Sequence, residues 1–162
     1  MEKILLNNWK FEYVCHINPE SDLQGNPIEL LPQPRYENKK NLTLNKYGKG
    51  PFCKFTIDRK HAKKSGVYVI KINENIQYVG ECDDFHKRYG MGYGNISPRN
   101  CFEGGQLTNC RVNSDILKMI KTGKEVQLYF LETNNRFEIE YQLIKKLQPI
   151  WNKTVGKPSK IQ

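Results

Sequence analysis

The chain has 162 residues, with 26 Lys and Arg against 17 Asp and Glu, for a net charge of +9. Hydrophobic residues supply 38%, yet nine Tyr, seven Phe and two Trp give enough aromatic surface for a core, which excludes simple disorder. No apolar run approaches the roughly 18 residues of a membrane helix, and the start, Met1 to Trp9, is too polar for a secretory signal. A cytoplasmic protein that makes no membrane contact is expected.

The basic excess is spread over both halves of the chain. Such a balance suits a polyanionic partner, most often nucleic acid, and is equally explained as solubility charge. The five cysteines at 15, 53, 82, 101 and 110 are odd in number and form no C-x-x-C pair, so reduced thiols are expected. Cys82 and His86 stand one helical turn apart, but with Cys101 and Cys110 they match no regular zinc knuckle.

In chain order, residues 1–65 read as an irregular N-terminal extension packed on a core. Ile4 to Ile17 is apolar but mixed in period, residues 19–50 are rich in Pro, Asn, Gly and Lys, and Phe52 to Ile57 suits a short strand. The pattern sharpens at Gly66. Residues 67–80 form a β-hairpin around Asn73-Glu-Asn75, and Asp83 or Asp84 caps a short helix through Arg88. Residues 89–113 hold five Gly and four Asn with almost no periodicity, and are expected to be a functional loop contacting DNA through Tyr93, Arg99, Gln106, Asn109 and Arg111. Asn113-Ser114 caps a helix from Asp115 to Lys121, Val126 to Leu131 is a third strand, and Arg136 to Leu147 is the last helix. The division predicted is an extension over 1–65, a core domain over 66–155 and a tail over 156–162.

The last helix carries an anomaly. At about 100° per residue, Glu140 falls between Phe137, Leu143, Ile144 and Leu147, in the middle of the apolar stripe, whereas Glu138 falls on the solvent side. A carboxylate there must be paired, hydrogen-bonded or hold a cation. A salt bridge and a metal site account for it equally at this point.

Together these residues resemble the GIY-YIG nuclease superfamily over residues 66–152. Gly66-Val67-Tyr68 and Tyr78-Val79-Gly80 stand for the two halves of the name motif, Arg88 follows Tyr78 by ten positions, and Glu140 opens a stretch running to Pro149 and Asn152 that resembles the family's acidic helix. The resemblance implies a small central three-stranded antiparallel sheet flanked by helices, an α/β (α+β) fold. It also implies a metal-dependent DNA endonuclease, restriction-like in its stand-alone plan. Glu140 would bind one divalent cation, Mg²⁺ or Mn²⁺. Arg88 would hold the phosphate, Tyr68 would serve as general base, Tyr78 would hydrogen-bond the water or phosphate, and Asn152 would orient the site. Two positions depart from the pattern: Glu81 replaces a Lys common in repair members, and Gly92 stands where many members carry His or Tyr. The partners implied are double-stranded DNA, a second copy in a homodimer and a companion methyltransferase. The alternatives are a non-catalytic nucleic-acid-binding module of the same fold and a repair or mobile-element nuclease.

Overall fold

The computed structural model describes residues 2–38 and 40–154, and the expected tail over 156–162 lies outside them. The chain divides into two compact units, one of Met1–Ile17, Ile57–His86 and Glu125–Gln162 and one of Asn18–Thr56 and Lys87–Lys124. Chain continuity between the units is broken at four places, after Ile17, Thr56, His86 and Lys124.

The first unit is built on strands β1 (Lys3–Leu6), β2 (Trp9–His16), β3 (Gly66–Ile72), β4 (Asn75–Cys82) and β5 (Val126–Glu132). They form one antiparallel sheet in the order β1-β2-β5-β3-β4. The fold is α+β, but its sheet has five strands and not the three expected. The two additional strands come from the segment read as irregular. Asn7 adopts a left-handed conformation at φ 55°, which turns β1 back onto β2. Ile4, Leu6, Trp9, Phe11 and Tyr13 then alternate onto one face and join the core. A register shift between Tyr13 and Cys15 breaks the alternation, and this bulge is why the segment looks mixed in period.

Helix α3 (Arg136–Leu147) covers one face of the sheet and packs on β4 and β3. Ile139, Leu143 and Ile144 meet Phe11, Val67, Val69, Val79 and Tyr129 in a single buried cluster. Strand alternation sends Tyr68, Ile70, Tyr78 and Phe130 to the other face. There Phe85 stacks on Phe130 with centroids 4.2 Å apart. Phe85 opens the one-turn helix α1 (Phe85–Arg88).

The second unit contains a π-helical turn (Tyr89–Tyr93), a 3₁₀ turn (Pro98–Cys101) and helix α2 (Leu107–Lys121). Its core is Phe52, Ile96, Cys101, Phe102 and Cys110, bordered by Tyr36, Leu42 and Tyr47. Helix α2 starts at Leu107 and not at Asp115, so much of the expected 89–113 loop is regular structure. The periodicity is hidden because three buried positions, Asn109, Arg111 and Asn113, are polar. Asn113 is fully buried and fully bonded: its Oδ1 accepts from the Cys53 N–H at 2.9 Å, and its Nδ2 donates to the carbonyls of Cys53 and Tyr93, each at 2.7 Å. All five cysteines are free, and burial pushes the Cys53 thiol up to about 12.

Candidate functional site

Tyr68 on β3 and Tyr78 on β4 stand on the same face of the sheet, with ring centroids 6.2 Å apart. The phenol of Tyr68 lies directly over Gly80, its cross-strand partner. A Cβ at Gly80 would sit 2.3 Å from the Tyr68 oxygen and 2.4 Å from its Cζ. Gly66 is held equally closely, since a Cβ there would lie 2.0 Å from the Leu131 carbonyl oxygen of β5. The two motif glycines therefore have separate steric causes: Gly66 lets β3 seat against β5, and Gly80 leaves room for the Tyr68 ring. Gly80→Ala is expected to cost about 1–3 kcal/mol by overpacking, because Tyr68 is only 1% exposed and its ring is backed by Phe85 at 6.2 Å. Urea unfolding checks this, and a wild-type midpoint would contradict it.

Asn152 serves the same strand from the outside. β4 is a sheet edge, whose outward backbone groups need partners. The Asn152 side chain supplies both for Val79, its Oδ1 accepting from the N–H at 2.9 Å and its Nδ2 donating to the carbonyl at 2.8 Å. The Trp151 N–H donates to the Gln77 carbonyl at 3.0 Å. Asn152 thus acts on the strand that bears Tyr78 and Gly80, and its amide is committed to backbone.

Glu140 lies within the buried arc of α3 but is only half-buried. Glu138 is occupied locally, accepting from Gln142 Nε2 at 2.7 Å. Glu81, at the position that departs from the family pattern, accepts from Arg136 Nε at 2.6 Å and so ties β4 to the first turn of α3.

Arg88 closes α1 as a half-buried residue and belongs to the second unit. The other expected DNA contacts separate by burial. Tyr93 is 2% exposed and packs edge-on against Tyr89 at 5.2 Å, and Asn109 is buried with its Nδ2 bonded to Gln106 Oε1 at 3.0 Å. Arg111 is also buried, with its guanidinium 5.9 Å from the Tyr47 ring centroid. These three do not present a base-reading edge at the surface, because the polar stretch that carries them folds into a π-turn and a helix. Arg99 and Gln106 are exposed. Arg99 donates to the Glu103 carbonyl at 3.0 Å and lies 5.7 Å from the Tyr36 ring centroid.

Sequence reasoning missed His61, which is buried on the tyrosine face against Phe130 (5.0 Å) and Phe85 (6.2 Å). Its Nε2 is 3.6 Å from Glu12 Oε2, too long for a hydrogen bond, and burial holds its pKa below the ordinary histidine value. A lone His in a Lys-rich run gives no pattern by which to find it. Among the described residues, no three or more His, Cys, Asp or Glu gather as a metal-binding group, and no helix is long and apolar enough to cross a membrane. No family model, curated protein or solved structure matches the chain.

Proposed function

We propose that the chain is a metal-dependent endonuclease that hydrolyses phosphodiester bonds of double-stranded DNA, in the manner of a restriction enzyme. The observation that carries this reading is that Tyr68 and Tyr78 share one sheet face with ring centroids 6.2 Å apart, the Tyr68 ring filling the space beside Gly80. The same pair is what the resemblance to GIY-YIG nucleases assigns to the water and the phosphate.

The chain's own groups divide the work. Ionised to the phenolate, Tyr68 would accept the proton of the attacking water at its oxygen, solvent water would protonate the leaving oxygen, and Tyr78 would orient the attacking water or the phosphate. Arg88 neutralises charge that builds on the phosphate, with a planar fork suited to two oxygens. Asn152 fixes the backbone of β4 at Val79, and with it the strand that bears Tyr78. The donor chemistry suits one hard divalent cation, Mg²⁺ or Mn²⁺, since Glu140 is a half-buried carboxylate and carboxylate oxygens are the ligands such ions take. Glu140 would hold that ion, which supplies Lewis-acid charge at the scissile phosphate.

Incubation of the protein with phage DNA and Mg²⁺ tests the reading. Discrete fragments support a restriction-like enzyme, and a smear supports a nuclease of another purpose. A second reading, a nucleic-acid-binding module without chemistry, draws on the burial of Tyr68 at 1% exposure. Retained DNA binding with no cleavage in Mg²⁺ or Mn²⁺ would establish it. A methyltransferase gene beside this one favours restriction over repair or mobile-element work.

A further inference from the structure

The second unit holds a cavity of about 320 Å³ whose lining is unusual in charge. Lys46, Lys49, Arg111, Lys118 and Lys121 contribute to its wall, against a single carboxylate, Asp115. Lys121 is balanced by Glu29, whose Oε1 accepts from its Nζ at 2.5 Å. For Lys46, Lys49 and Lys118, no acidic partner lies within ion-pair distance among the described residues. All three are exposed. Like charges brought together repel one another and destabilise a fold, so such a cluster needs a counter-charge.

We propose that this cavity binds the phosphate backbone of duplex DNA and is a sequence-independent docking site remote in function from the tyrosine constellation. The inference rests on the DNA reading above for its partner class. Three features favour a backbone over a base or a small ligand. The only aromatic ring in the lining, Tyr47, is already engaged by cations, with Lys46 Nζ 5.4 Å and Arg111 Cζ 5.9 Å from its centroid, so it does not offer a stacking platform. The three unbalanced ammonium groups sit on long, exposed stems, which suits a repeating anion better than one enclosed phosphate. Arg111 is 93% buried by packing and belongs to the rigid helix α2, so the wall between the lysines is fixed.

The experiment uses the full chain carrying Lys46→Gln, Lys49→Gln and Lys118→Gln together. Binding to a fluorescent 20-base-pair duplex is followed by anisotropy in Ca²⁺ over a salt series, and thermal melting serves as the folding control. Exposed lysines contribute little to stability, so the melting temperature should hold. Each lost phosphate contact lowers the salt dependence by about 0.9 in the log–log slope, so the triple variant should be shallower by about 2.7 units, with affinity at 0.1 M salt reduced by about tenfold or more. An unchanged slope in a folded variant overturns the proposal while leaving the nuclease reading standing. A reduced slope in a protein whose wild type cuts nothing supports the cavity and rejects the nuclease reading. Saturable binding of inorganic phosphate or a mononucleotide that depends on the three lysines, with the duplex slope unmoved, overturns the proposal in favour of a small phosphorylated ligand. Absence of duplex binding by the wild type overturns it outright.

Discussion

Glu140→Gln is expected to reduce cleavage by at least about 10²–10³-fold while leaving the melting temperature and duplex affinity close to wild type. The change keeps the shape of the side chain and removes only its charge, so it separates two roles that the same position allows. A carboxylate that holds a divalent cation loses its function with the charge. A carboxylate that serves only to neutralise a neighbouring side chain leaves that partner uncompensated, and the protein then unfolds at lower temperature. Position bears on the choice. Glu140 shares the buried arc of α3 with Ile139, Leu143 and Ile144 yet stays half-buried, so its charge is not sealed into the core. Glu138→Gln on the same helix is the control, because that side chain accepts a bond from Gln142, which an amide oxygen also accepts. Cleavage at the wild-type rate by Glu140→Gln would remove the carboxylate from the chemistry.

The segments legible in the sequence are those whose pattern and packing agree. The β3–β4 hairpin, β5 and α3 stand where β-branched runs, Asn turns and a 3.6-residue apolar stripe put them. The β1–β2 hairpin was hidden by the bulge after Tyr13, which exchanges the faces of Val14 and Cys15 and erases a period of two. Helix α2 was hidden for a different reason. Its inward positions include Asn113, whose partners are the backbone of Cys53 and Tyr93, distant in sequence, so an apolar count undervalues the turn. Tyr93, Asn109 and Arg111 lie in the same stretch and are interior residues, which their polarity conceals in the sequence. The candidate site rests on motif spacing, Gly66 to Tyr68 and Tyr78 to Gly80, which is readable without the fold. Even so, the need for glycine at positions 66 and 80 is visible only once Leu131 and Tyr68 are seen against them.

Arg88→Lys should lower kcat by about 10²–10³-fold with little change in duplex affinity. Both side chains carry one positive charge, so long-range attraction to DNA survives the exchange. What is lost is the planar fork, which donates two parallel hydrogen bonds to two phosphate oxygens in a fixed geometry. An ammonium donates from a point and must choose among those oxygens. The loss therefore falls on the transition state, where charge on the phosphoryl group is greatest, and kcat should fall while KM holds. Arg88 is half-buried. It ends the one-turn helix that Phe85 opens, and the Phe85 ring is held by Phe130 at 4.2 Å and faces Tyr68 at 6.2 Å. The π-turn that follows Arg88 carries the buried rings of Tyr89 and Tyr93, which meet edge-on at 5.2 Å. Single-turnover cleavage of a defined duplex measures the chemical step apart from product release. A Lys variant that cuts at the wild-type rate, with an unchanged salt slope, would show that position 88 needs only a positive charge, and the phosphate-stabilising role would then have to be sought in another cation.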